Sequence, residues 1–250
     1  MTAAVSVVDV GLVIGGARIL DGVTIAAEPG EMIGVIGPNG AGKTTLFNVV
    51  SGVRRPTEGR VLLDEMDVTA MPIDQRARLG LGRTFQTSSL FPRLSVLENV
   101  RLAVQTRRGR SRSIARFPRA GDEATAEARL HLAEVDLSRR AGVAAGDLSH
   151  GDKRKVEIAV LLAMEPKVVL LDEPMAGVAT ADVPSLTAVI SRLHRELGCA
   201  VLMVEHHIDV VLGLVDRVAV LHHGSLLAIG TPDDVVSNSD VQSAYLGDVA

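Results

Sequence analysis

Aromatic side chains are close to absent from this chain of 250 residues, which has four phenylalanines, one tyrosine and no tryptophan. The arginine-rich stretch RRGRSRSIARFPR, Arg107 to Arg119, has no aromatic platform or base-reading motif beside it, so nucleic acid is not an expected partner. Its six arginines read instead as a solvated insertion or as a contact with a membrane surface. Cysteine is scarcer still. Cys199 stands alone, which excludes an internal disulfide, suits a reducing compartment, and reads as a small buried residue where a strand begins. No run of about 18 uncharged apolar residues occurs, although 47% of the chain is hydrophobic, so no membrane-spanning helix is expected. The opening MTAAVSVVDVGLVIGG has no basic segment and is interrupted by Asp9, so it does not read as a signal peptide. A net charge of −4 excludes a general polyanion binder. No repeat of 20 to 50 residues is visible. The absences leave a cytosolic globular protein, long enough to bury a substantial core.

What is present is a series of short apolar runs. The first thirty residues alternate such runs with Gly, Asp and Pro, as antiparallel strands joined by turns do. EMIGVIG reads as a buried strand, followed by a glycine-rich loop and a helix, GKTTLFNVVSG, that Gly52 stops. Between Gly52 and about residue 105, strands such as RVLLDEMDV mix with loops punctuated by Pro56, Pro72 and Pro92. From about Val100 to Leu148 the chain turns polar and helical. Beyond it, KVVLLDE and AVLMVEH are continuous apolar runs expected of strands covered on both faces. PSLTAVISRLHREL is an amphipathic helix between them, and RVAVLHHGSLLAIG reads as a hairpin turning at His223 and Gly224. Strand, helix, strand in this order implies a parallel sheet with crossovers, hence an α/β fold.

The loop GPNGAGKTT, Gly37 to Thr45, fits G-x-x-x-x-G-K-[ST]. Glycines let backbone N–H groups converge on a phosphate, and the helix that follows adds its positive end. The spacing places Lys43 to reach the β- and γ-phosphates and the Thr44 hydroxyl to ligate Mg²⁺. Gly37, Asn39, Gly40, Ala41, Gly42, Lys43, Thr44 and Thr45 form the candidate phosphate set. The run VVLLDE supplies the partner, an apolar strand ending in acids. Asp172 would hold the Mg²⁺ shell, and Glu173 would orient or deprotonate the attacking water. These two motifs together point to a nucleoside triphosphatase that uses Mg²⁺.

A second anion-holding motif, LSHGDKRKVEIAV, puts Ser149 and Gly151 before a helix whose Val156, Ala159, Val160 and Ala163 share one face. LSHGDKR resembles the signature sequence of the ATP-binding subunits of ABC transporters, usually LSGGQ, and Ser149 stands 23 residues before Asp172 (172 − 149) as it does there. The likeness runs through essentially the whole chain. It implies that Gln86 in RTFQ touches the Mg²⁺ and water shell and faces a membrane subunit. It implies that His206 in VEHH contacts the γ-phosphate. It further implies that Ser149 and Gly151 cap the γ-phosphate held by a second ATPase subunit packed head to tail, either an identical chain or a paralogue. GLGRTFQTSSLFPRLSVLENV, the polar length between Val104 and Ala128, DEPMAG and VQSAYLG resemble the branch that imports branched-chain amino acids, amides and urea.

The resemblance implies an ABC-type P-loop fold, with a mixed-sheet core, an antiparallel β lobe (1–30 and 53–70) and an inserted helical subdomain (about 96–165). It also implies transmembrane permease subunits as partners, an extracytoplasmic substrate-binding protein acting indirectly, and a place at the cytoplasmic face of the membrane. A soluble ABC ATPase serving as an assembly scaffold or a regulatory subunit is the alternative. Three positions depart from the family pattern. Ile14 stands where an aromatic usually stacks on adenine, at a loss of roughly 1 kcal/mol. Ala179 stands where the family prefers Asp or Asn in a loop that crosses to the other subunit. Asp152 replaces the signature glutamine, and an acid so close to a γ-phosphate is tolerable if it points into solvent.

Overall fold

The computed structural model describes residues 2–84, 89–109 and 122–247. In chain order the strands are β1 (Val5–Ile14), β2 (Ala17–Ala27), β3 (Met32–Ile36), β4 (Glu58–Leu63), β5 (Met66–Asp67), β6 (Leu81–Arg83), β7 (Val168–Asp172), β8 (Ala200–Val204), β9 (Arg217–His222) and β10 (Ser225–Gly230). The helices are α1 (Lys43–Val50), α2 (Ile73–Arg78), α3 (Val96–Arg107), α4 (Glu123–Glu134), α5 (His150–Leu162), α6 (Val183–Arg195), α7 (Ile208–Leu212), α8 (Pro232–Ser237) and α9 (Ser239–Gly247). The chain divides into two compact units, one of residues 1–83, 167–173 and 193–250, the other of residues 84–166 and 174–192.

The first unit holds two sheets. One is antiparallel, in the order β2-β1-β4-β5, and the other is mixed, in the order β10-β9-β3-β8-β7-β6. In the mixed sheet only β10 runs antiparallel, paired to β9. Every residue of β3, β7 and β8 is buried, as their continuous apolar runs require. By contrast β2 buries Leu20, Val23, Ile25 and Ala27 and exposes residues between them, the mark of a sheet with one wet face. The β4–β5 turn is closed by Asp64 and Glu65 and the β9–β10 turn by His223 and Gly224, all at positive φ. Two such residues in succession make the tight turn that matches strand twist. The core of this unit joins both sheets to α1 through Leu46, Phe47, Val49 and Val50.

The second unit is helical. α3, α4 and α5 pack together through Val96, Val100, Val104, Ala128, Leu132, Val156 and Ala159, none of which is exposed. Ser95 and Ser149 cap α3 and α5, each accepting the N–H three residues on. Asn99 clamps the loop before α3, accepting the Phe91 N–H at 2.8 Å and donating to the Phe91 carbonyl at 3.2 Å. Of the arginine-rich stretch, Arg107 is half-buried and Arg108 exposed, and both pair with acids. Arg107 meets Glu127 and Glu165, and Arg108 meets Glu123 at 2.7 Å and Glu127 at 2.6 Å. Arg110 to Arg119 lie outside the described residues.

Candidate nucleotide site

The glycine-rich loop leaves the end of β3 and enters α1. Gly37 has φ 150°, and a β-carbon there would lie 2.1 Å from the Leu221 carbonyl oxygen. Gly42 has φ 101°, with Leu20 Cδ2 at 2.8 Å from the same imagined atom. Both positions therefore demand glycine, one for its close approach to β9 and the other for its approach to β2. Ala41, Gly42 and Lys43 are buried, Thr45 is half-buried, and Asn39, Gly40 and Thr44 are exposed. No acidic residue occupies the first turn of α1, so nothing on the helix offsets its positive end.

Lys43 folds back over its own loop. Its ammonium donates to the carbonyls of Gly37 at 2.6 Å and Pro38 at 2.9 Å. Burial pulls its pKa below the ordinary lysine value, and the nearby charge of Glu173 pulls the other way. Beside the loop a cleft of about 570 Å³ opens between Pro38, Asn39, Gly40 and Ala41 on one side and His222 and His223 on the other.

Opposite in sequence, but in the same unit, β7 ends in Asp172 and Glu173. Asp172 is 1% exposed and accepts from Arg83 at 2.8 Å. Glu173 takes a left-handed backbone (φ 49°) while its N–H still bonds the Val204 carbonyl at 2.9 Å. That break from strand geometry ends β7, and the Glu173 side chain reaches His206 across the end of β8, with Nε2 of His206 2.9 Å from Oε1 of Glu173. Glu173 and His206 are thus in contact, and Lys43 feels the charge of Glu173.

Other candidates stand apart. Ser149 and Gly151 belong to the helical unit. Ser149 Oγ accepts the Asp152 N–H at 3.2 Å, and a hydroxyl that accepts one bond keeps its hydrogen to donate. Gly151 is buried, and a β-carbon there would meet Asp182 at 3.1 Å. Asp152 does not meet solvent alone. Its carboxylate is 19% exposed and lies 3.2 Å from Arg140 Nε, because a neighbouring guanidinium offers a better partner than water alone. Ile14 is exposed at the end of β1, and Ala179 is exposed. Gln86 lies outside the described residues.

The profile of the ABC transporter family matches residues 20–176, from β2 through the end of β7. The chain belongs to that family of ATP-binding cassettes. A second profile, that of the branched-chain amino acid ATP-binding cassette transporter, matches residues 225–250 of this cassette. The cassette is 37% identical over 239 residues, covering 94% of each chain, to the high-affinity branched-chain amino acid transport ATP-binding protein LivG of Escherichia coli K12. Among solved structures it is similar to the ADP conformation of MJ1267, an ATP-binding cassette of an ABC transporter, at 30% identity and a TM-score of 0.86, covering 99% of this chain and 100% of that one. It is also similar to a dimeric post-hydrolysis state of the cassette MJ0796 bound to ADP and Pi, at 27% identity and a TM-score of 0.76, covering 91% and 98%. This cassette is therefore a nucleotide-binding ATPase of a transporter. Among the described residues no helix is long and apolar enough to cross a membrane.

Three residues of the cassette that sequence reasoning passed over serve the site. Glu205, with its side chain 2% exposed, accepts the His206 N–H at 3.0 Å and lies 3.2 Å from His207 Nδ1, so it fixes the segment that presents His206. Arg76, fully buried, donates to the Val49 and Val50 carbonyls at 2.8 and 2.6 Å and so caps the C-terminal end of the phosphate-loop helix. The third is Arg83, the partner of Asp172. A run of sequence gives no sign that the Arg83 guanidinium will be swallowed 89 residues away from its acceptor Asp172.

Proposed function

We propose that this chain powers a binding-protein-dependent importer of branched-chain amino acids or of related amides or urea, working at the cytoplasmic face of the membrane beneath permease subunits. The observation that carries the catalytic part is the contact between Glu173 and His206 within the unit that holds Lys43. An acid at the end of a buried strand, touched by an imidazole and facing a phosphate loop, can orient a water against a γ-phosphate. The name of the Escherichia coli relative and the match over residues 225–250 support the substrate class.

The roles follow from the chemistry of each group. Backbone N–H groups of residues 39–45, at the start of α1, cradle the phosphates, and Lys43 exchanges its two loop carbonyls for phosphate oxygens. The Thr44 hydroxyl and the Asp172 carboxylate are hard oxygen donors, the kind that holds Mg²⁺ together with substrate phosphates, and Gln86 would add a third. Bound there, Mg²⁺ would offset charge on the β- and γ-phosphates. Glu173 accepts from the attacking water and His206 steadies Glu173 while reaching the γ-phosphate. Ser149 and Gly151, at the start of α5, meet the nucleotide of a second ATPase subunit. ATP then acts as the bridge between two cassettes, and its cleavage weakens that bridge. On the permease side, Phe91 is 58% exposed while Asn99 holds its backbone rigidly, which suits a preformed apolar knob for a membrane subunit.

The test is to trap the Glu173→Gln protein with ATP and Mg²⁺ in solubilised membranes of the source cells and to recover what travels with it. Two multi-spanning subunits and a second ATPase are the expected companions. Recovery of soluble proteins alone would overturn the transporter assignment for this chain and favour a scaffold.

A further inference from the structure

Arg83 joins three elements through one buried guanidinium, whose side chain is 7% exposed. Nη2 donates to Asp172 Oδ2 at 2.8 Å. Nη1 donates to Asn48 Oδ1 at 2.9 Å and to Ser51 Oγ at 2.7 Å, and the guanidinium carbon stands 5.9 Å from the centre of the Phe47 ring. Phe47 and Asn48 belong to α1, the helix that begins at Lys43, and Ser51 caps its end. Asp172 is the last residue of β7. Arg83 is itself the last residue of β6, and the backbone continues from it to Gln86 three positions on. The same cation therefore touches the helix behind the phosphate loop and the acid assigned to the metal shell, and it anchors the strand that runs into Gln86.

β6 is a short strand whose Leu81 sits in the core. It is three residues long, lies at the edge of the mixed sheet, and pairs with β7 alone, Leu81 against Val168, Gly82 against Val169 and Arg83 against Leu170. A short edge strand opens at low cost, so contacts at its end govern its position. A divalent cation drawn to Asp172 would place a second positive charge on a carboxylate that Arg83 already uses, in a buried setting where charges are weakly screened. Two cations sharing one carboxylate weaken each other's hold, and the effect is reciprocal.

We propose that Arg83 is a positioning residue that shares Asp172 with the nucleotide's divalent cation, so that arrival of the cation loosens Arg83 and with it the end of β6. This inference rests on the reading of Asp172 given under the proposed function, and it is tested without hydrolysis.

Mn²⁺ binding to the isolated protein, loaded with a non-hydrolysable ATP analogue, is measured by electron paramagnetic resonance. Arg83→Gln is expected to tighten Mn²⁺ binding by roughly fivefold or more, and Arg83→Lys, which keeps the charge, to stay near wild type. Unchanged or weaker Mn²⁺ binding in Arg83→Gln, with a lowered melting temperature as its only effect, would make Arg83 a structural pin and overturn the proposal. Hydrogen exchange on the wild-type chain decides the matter independently, should the glutamine variant not fold. Adding Mg²⁺ to the analogue-bound protein is expected to speed exchange of the β6 amides relative to the rest of the sheet. Exchange that is unchanged or slowed there would overturn it. A wild-type chain that binds the analogue but no Mn²⁺ would instead remove the assignment of Asp172, on which the inference stands.

Discussion

Nε2 of His206 lies 2.9 Å from Oε1 of Glu173, joining the ends of two neighbouring buried strands at the one point where β7 departs from strand geometry. The pair acts as a unit, so the two residues should fail together. Glu173→Gln and His206→Ala are each expected to cut ATP turnover by about 10²- to 10⁴-fold while leaving ATP binding within a few-fold of wild type. The double variant should be little worse than either single one, because each change already breaks the same arrangement. Turnover by Glu173→Gln within about tenfold of wild type would place the base elsewhere.

Arg76 offers a stability test at the C-terminal end of α1. Its guanidinium is fully buried and donates to the carbonyls of Val49, Val50, Thr69 and Met71. Burial lowers its pKa, and Asp67 opposes that shift. Removing the donor strands carbonyls at the buried end of α1. Arg76→Met is expected to lower stability by about 2–4 kcal/mol, counting the charge-assisted bonds lost and the acceptors left unpaired. Chemical denaturation at neutral pH reads this directly, and a loss below about 0.5 kcal/mol would show that the carbonyls find other partners.

What the sequence made legible was local. The phosphate loop, the Asp172–Glu173 strand end and the His223–Gly224 turn are written in contiguous residues, because each depends on backbone conformations that few side chains permit. Arg76, Arg83 and Glu205 were not legible. The acceptors of the two arginines lie on other elements, and Glu205, which bonds its chain neighbours His206 and His207, is set apart by its burial. A charged residue destined for burial therefore looks like any surface charge until the fold closes around it. Asp152 shows the same limit from the other side. Its change from the usual glutamine was plain, but its partner Arg140 sits on a 3₁₀ turn (Ser138–Arg140) that the helical pattern did not announce.

Ile14 offers a test of the adenine side of the proposed site. It is 39% exposed at the end of β1, at the position where the family resemblance expects an aromatic ring. Ile14→Tyr is expected to tighten ATP binding about fivefold, in line with a stacking gain of roughly 1 kcal/mol. Inorganic triphosphate, which has no base to stack, should bind the two proteins alike. Equal tightening for both ligands would show that the change acts on the loop rather than on adenine.

Lys43 gives the site a proton linkage whose sign can be worked out. Burial holds its pKa below the ordinary 10.5 in the free protein, with Glu173 opposing. Triphosphate oxygens stabilise the charged ammonium, so the bound state has the higher pKa and carries more protons wherever the two states differ. ATP binding should therefore take up protons in the window that begins at the lowered value, and affinity should fall as pH rises through it. Calorimetry about one pH unit below the ordinary lysine value, in two buffers with different ionisation heats, measures the uptake. Lys43→Met should bind ATP more weakly and take up none, and proton release by the wild-type chain would assign the linkage to another group.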